Sequence, residues 1–390
     1  MSVNNMAIED VYQLLNSLHT QSTGRTSLAP TNVSEFISMA NTTLAAGVDI
    51  VYNNLMNVIG KTIFSSRPYQ GKFKGLDADT VRWGGIIRKI SVADNDIAAD
   101  QVYHNLTDGT SADMYERKKQ NVLETRFYGS DVYQDFYTVY KVQLLNAMRS
   151  PEELGSFVSM LAQEMSNKWN QYNEELRRTA LCNMIAAKKD LNEDQIHLLT
   201  EYNQASGQSL TAQDVMKPAN IKPFFEWAKA RINTLSRQMT ARSVKFQHQI
   251  TGKPITRHTP YRDQRHYFTA DYLDIIQTTV LPEAFHNEDL KYVDVEAVDF
   301  WQSINSPASI SMTPVEIDSD GIVQTANANV TVNNIFGVMF DRDAVMVTNI
   351  DKEITNTPYN ARGRYYNTFL SANSKYCNDL TEKFIVLLLD

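Results

Sequence analysis

From Leu154 to Met184 the apolar residues Leu154, Val158, Leu161, Met165, Trp169, Tyr172, Leu176, Ala180 and Met184 recur every three to four positions. That spacing stacks side chains on one face of an α-helix. Pro151, Glu152 and Glu153 open the run, and Lys188 and Lys189 close it. Proline loses nothing among the orphan amides of a first turn, and the charges match the two ends of the macrodipole. The pattern predicts one nearly straight helix over residues 151–188, roughly 55 Å long at 1.5 Å per residue. A compact domain needs less, so this helix reads as a strut.

Weaker helical periodicity runs from Val33 to Ile59 (Phe36, Met39, Leu44, Val48, Val51, Leu55, Val58), with Gly60 as its stop. Another helix is predicted over 221–239, with Phe224, Phe225, Ala228, Ile232 and Leu235 on one face, and a shorter one over 270–280. Extended stretches are predicted at 80–92, with a kink at Gly84-Gly85, and at 122–140, rich in Tyr, Phe and Val. An Asp-rich connection, residues 94–113, and the charged patch Glu116–Lys119 lie between them. Together they describe an elongated hairpin with little core of its own, expected to project and pack on a neighbour. Residues 336–347 read as an apolar strand pair around an Asp341-Arg342-Asp343 turn, and 365–370 and 383–389 as closing strands. Residues 201–214 read as a polar linker, and 248–311 as strand-like and turn-rich. The first forty residues, rich in Ser, Thr and Asn, carry one short amphipathic stretch near 8–18. They read as an arm with too little apolar surface for its own core, expected to drape over something else or stay mobile. No repeat of 20–50 residues is visible, which removes solenoids and propellers. The sum is an α+β fold.

The 390 residues, 43% hydrophobic and 21% charged, suffice for two or three domains and a buried core. A formal charge of −8 argues against a dedicated nucleic-acid binder, which carries a basic excess. The start lacks the basic and apolar regions of a signal peptide, and the longest apolar run, Phe384 to Leu389, is too short to span a bilayer. Cys182 and Cys377, with no CxxC, exclude a disulfide framework and a cysteine-rich zinc site. A reducing cytoplasm is the expected place of synthesis.

Candidate chemistry is sparse. His248, His258 and His266 stand ten and eight residues apart, without HxxxH or HExxH, and read as ordinary loop histidines. Trp83-Gly84-Gly85 and Thr251-Gly252-Lys253 lack the spacing that aligns amides on a phosphate. Glu316-Ile317-Asp318-Ser319-Asp320-Gly321 imitates the start of a calcium loop, but Asn327 stands where a bidentate Glu is required, so a β-turn is the better reading. There is no GxSxG elbow. The carboxylates of 94–113 read as a solvated loop, with docking on a basic patch such as Arg231, Arg237 and Arg242 of a neighbour as the alternative. Trp169 and Tyr172 read as core packing. No catalytic, cofactor-binding or metal-binding residue is assigned, no cofactor is expected, and the chain does not read as an enzyme.

The order of parts carries a resemblance. It is borne by Asn53–Gly60 (NNLMNVIG), Asn121–Val139 (NVLETRFYGSDVYQDFYTV), the helix Glu152–Ile185, Asp341–Ile350 (DRDAVMVTNI) and Gly363–Asn367 (GRYYN). Over most of residues 40–390 the chain resembles the major capsid proteins of tailed bacteriophages with the Hong Kong 97-type fold, most like those of small short-tailed, Salasmaviridae-type phages. The resemblance implies an N-terminal arm (1–40) and a P-domain (41–66, 141–200 and 335–390) containing the spine helix 151–188. It also implies an E-loop (67–140) and an A-domain (201–334). It implies a homo-oligomer of pentamers and hexamers that forms an icosahedral shell, procapsid and then mature head, around double-stranded DNA without sequence-specific binding. The location would be the virion, assembled in the host bacterial cytoplasm, with no membrane.

Some expectations concern departures from the family. The short N-terminus implies a separate scaffolding protein alongside a portal, and the end at Asp390 implies no added immunoglobulin-like domain. Lys72 and Lys74 near the hairpin base read as solvated lysines, not as cross-linking sites. The rival readings are an encapsulin-like nanocompartment shell, which shares the fold, and a tail or portal component, against which the hairpin-then-strut order argues.

Overall fold

A computed structural model describes residues 6–61, 71–77, 87–92, 108–109, 111, 114–115, 122–127, 131–252, 254–277 and 295–390. Three N-terminal helices, α1 (Ile8–Thr23), α2 (Val33–Ala45) and α3 (Val48–Lys61), are followed by strands β1 (Ile87–Val92), β2 (Val122–Phe127) and β3 (Asp131–Tyr140). Next come α4 (Lys141–Ala147) and the strut, α5 (Pro151–Asp190), forty residues long. Ser150 caps the strut by accepting the Glu153 N–H at 3.2 Å, with Pro151 in its first turn.

The strut runs past two hydrophobic cores. Leu154, Val158, Leu161 and Met165 enter one with α1, α2 and α3. Ala180, Leu181, Met184 and Ile185 enter the other with Val338, Phe340, Val386 and Leu388. Those last four belong to a five-stranded sheet ordered β4 (Gln195–His197), β14 (Phe384–Leu388), β11 (Ile335–Asp341), β5 (Gln264–Thr269) and β6 (Val295–Val298). β11 pairs antiparallel with both β14 and β5, while the outer strands β4 and β6 run parallel to their neighbours. Every residue of β11 and β14 is buried. The far face, with Phe336, Met339, Ile385 and Leu387, packs under α6 (Leu198–Ser206) and α8 (Pro218–Thr240). Cover on both faces explains the unbroken apolar runs IFGVMF and FIVLL.

A three-stranded antiparallel sheet, ordered β12 (Val345–Asn356), β13 (Tyr365–Asn378) and β3, lies along the other half of the strut. From Tyr365 to Asn373, β13 alternates between half-buried and buried residues, as a sheet packed on one face should. On the buried side, Tyr52 stacks on Tyr366 at 4.4 Å and its hydroxyl meets Thr368 Oγ1 at 2.7 Å.

Four expectations are corrected. Residues 33–59 form two helices, separated at Gly47, whose φ of 121° favours glycine. The arm does contribute to a core of its own chain: Val11, Leu14, Leu15, Leu18, Phe36 and Ala40 are buried against α3 and the strut. The close approach is made at Gly155, where an added Cβ would stand 2.9 Å from Val11 Cγ2. The linker 201–214 is helical at both ends, in α6 and α7 (Ala212–Val215), the latter opened by a Thr211–Asp214 capping box. Residues 336–347 are no strand pair: β11 and β12 lie in different sheets. Asp341 holds the corner between them, accepting from Thr259 Oγ1 at 2.7 Å and the Asp343 N–H at 2.9 Å. The helix expected over 270–280 is α9 (Ala270–Ile275), and 278–280 fall outside the described residues.

Candidate assembly surfaces

β1 and β2 form an antiparallel ribbon in register from Ile87–Phe127 to Val92–Val122. A lone two-stranded ribbon is marginal in water, and the body of the same chain holds this one. Lys89 Nζ lies 2.9 Å from Asp379 Oδ2 and also donates to Glu382 Oε1. Arg257 approaches Glu382 at 3.3 Å and donates to Ser91 Oγ at 2.8 Å. Leu123 packs with Ile250 and Ile255. Burial opposes charge on Lys89, but the two carboxylates outweigh it and hold the ammonium above the usual lysine range. The described strands thus touch the body of their own chain, and the second half of 122–140 belongs to the three-stranded sheet. The Gly84-Gly85 kink and nearly all of the acidic connection 94–113 lie outside the described residues.

The three-stranded sheet shows its other face to solvent. Val132, Phe136 and Tyr140 of the outer strand β3 are 68%, 61% and 51% exposed. Phe136 meets Phe369 across the strands at 6.2 Å, and Tyr140 meets Tyr365 edge-on at 6.2 Å. The alternate residues Tyr133, Tyr137 and Val139 turn toward the strut: Tyr133 stacks on Tyr172 at 4.1 Å, and Trp169 lies beside Tyr172 at 5.8 Å. Trp169 and Tyr172 are therefore packing residues.

The histidines are not brought together as a metal site, and the described residues hold no cluster of three or more metal-ligating side chains. His248 bonds Glu193 at 3.0 Å, and that carboxylate holds its imidazole above the usual histidine range. His266 is buried in β5, where burial pushes it down to about 4. His258 lies exposed at the rim of a cleft with Arg242, Arg262 and Arg342.

β7 (Ile310–Met312) pairs antiparallel with β10 (Val330–Val332); between them in sequence, residues 318–321 turn from β8 (Val315–Ile317), which holds Glu316 and Ile317, toward β9 (Val323–Thr325), with Gly321 at φ 83°. Asp318 Oδ1 accepts the N–H groups of Asp320 and Ile322 at 3.0 and 2.8 Å, the hydrogen bonding of an Asx turn. Cys182 and Cys377 are free and buried, each pushed by burial up to about 12, far from thiolate reactivity. Arg231 is engaged by Glu201 at 2.6 Å, and Arg242 by Thr256 at 2.8 Å. Lys72 pairs with Asp299. Gly252, at φ 73°, marks a turn; Lys253 and Trp83–Gly85 lie outside the described residues. In a cleft beside the strut, lined by residues including Glu174, Arg178, Cys182 and Phe300, Arg178 stands 2.6 Å from Glu174 and its guanidinium 3.9 Å from the Phe300 ring.

A capsid chain of Staphylococcus phage Andhra is similar, with TM-score 0.59 and 11% identity over 83% of this chain and 85% of that one. A chain from a structure of the head fiber and inner core protein of native bacteriophage P68 matches with TM-score 0.56 and 10% identity over 84% and 87%. The fold is thus that of Hong Kong 97-type phage capsid proteins. Residues 15–388 match the Phi29-like phage major capsid protein family, and the chain belongs to it. It is a structural protein of the virion that assembles into a shell. No curated protein matches the sequence.

Proposed function

We propose that this protein builds a closed icosahedral shell of fivefold and sixfold clusters, first procapsid and then mature head, around a double-stranded DNA genome. Assembly takes place in the host bacterial cytoplasm with a separate scaffolding protein and a portal, and the protein performs no catalytic turnover. The observation that carries this reading is the family match over residues 15–388. In this reading 1–40 is the arm, 67–140 the E-loop and 201–334 the A-domain that meets its copies around the cluster axes. The P-domain consists of 41–66, 141–200 and 335–390. The formal charge of −8 fits a container filled by a motor, because a wall that gripped phosphates would oppose packaging.

The test is negative-stain imaging and light scattering of the purified chain with its scaffolding protein. Closed particles of uniform size, forming steeply with concentration, are expected. A chain that stayed monomeric at high concentration with scaffold present would sink the reading.

A further inference from the structure

The edge and the face of β3 are built differently. Along the edge, Asp135 Oδ1 accepts the Phe136 N–H at 2.9 Å, and Gln143 Oε1 accepts the Tyr140 N–H at 3.0 Å. Two of the outward amides that an added strand would need are therefore engaged, which blunts the edge. The face is open. Val132, Phe136 and Tyr140 stand out of it, backed by Phe369 and Tyr365, and the positions between them are Gln, Thr, Asn and Ser. No Asp, Glu, Lys or Arg stands on this face of β3 or of its β13 partners from Tyr365 to Ser371; the first is Glu353 on β12, opposite Ser371.

Resting on the shell reading above, we propose that this open aromatic face is a contact between subunits and that its occupant is a second copy of this chain. Copies that each carry a formal charge of −8 repel. With a screening length of about 8 Å at physiological salt, the charges nearest a contact decide whether it forms. A face free of charge across two strands lets acidic copies meet, and projecting aromatic rings are the side chains that anchor such contacts. The engaged edge amides direct the partner onto the face and away from strand addition.

The test uses the full-length chain and its scaffolding protein. Phe136→Glu places a carboxylate in the middle of the face, and Phe136→Thr removes the ring while keeping a strand-forming residue. Both variants should melt with the parent, because Phe136 points to solvent. The half-assembly concentration should rise at least about tenfold for Phe136→Glu, and less for Phe136→Thr. Variants that melt with the parent and assemble at its concentration would overturn the proposal. The same holds if they assemble normally but lose a different virion protein, since the occupant would then not be a second copy. Failure of the parent to assemble at all would instead remove the shell reading itself.

Discussion

The two sheets share the strut but follow opposite rules of burial. In β11 and β14 every residue is buried, and both faces are covered by other elements of the chain. β3 and β13 bury one residue set against the strut and the N-terminal helices, and the other set faces outward. The first sheet is an interior that one chain completes; the second leaves half of its side chains for something beyond the chain. In sequence the first sheet is marked by unbroken apolar runs, whereas β3 and β13 mix polar and apolar residues on both faces.

The contrast is broken most directly by paired truncations. Phe340→Ala, inside the five-stranded sheet, should cost about 4 kcal/mol in denaturant unfolding, against about 0.5 kcal/mol or less for Phe136→Ala. Similar losses at the two sites would show that the open sheet is as closed as the other. Met165→Pro, in the strut where it serves the three-stranded side, removes a helix hydrogen bond and clashes with the preceding turn, and should cost roughly 3 kcal/mol. A variant with the parent's melting temperature would show that the strut does not tie the sheets together.

Acid should sharpen the contrast, because His266 lies in the buried sheet. Above the ordinary pKa of 6.5 it is neutral whether folded or unfolded. As pH falls, the unfolded chain takes up a proton first, while the folded one resists to about 4. Stability is therefore lost through that window, by about 2 kcal/mol between pH 7 and pH 5. His266→Gln should flatten this part of the profile, and an unchanged slope would clear His266 of the effect. A local effect is expected from Lys89→Ala, which leaves the buried carboxylates of Asp379 and Glu382 without their ammonium. Amide exchange in β1 and β2 should quicken while β13 and β14 keep their protection; equal protection in parent and variant would mean the ribbon is held some other way.

The strut was legible because its signals are local: a proline and two acids at one end, two lysines at the other, and an unbroken period between them. The closing strands were legible for the same reason. The seat of the arm is not legible in the sequence, because burial of Val11 depends on the absence of a side chain at Gly155, a fact about a distant helix. The turn at Asp341–Asp343 was visible, but its consequence was not. Apolar runs on either side of a short turn look like partners, and here each finds others.

On the surface side, the open face of β3 has no polarity signal: Val132, Gln134, Phe136, Thr138 and Tyr140 face out while Asp135 belongs to the set that turns inward, so the sequence does not show which face is open. The contact that holds the ribbon had no signal either. Lys89 stands 290 residues from Asp379, and no periodicity connects them.

That contact between Lys89 and its two carboxylates also bears on the entropy of assembly. A ribbon swinging on its tethers would sample many directions and surrender them all when another surface caught it. With six residues in each strand, and about 0.5–1.5 kcal/mol for each rotamer-rich side chain stilled at an interface, that loss would weigh on the encounter. Seated on its own subunit, the ribbon gives up this freedom when the chain folds. The loss then belongs to the folding of one molecule and not to the meeting of two.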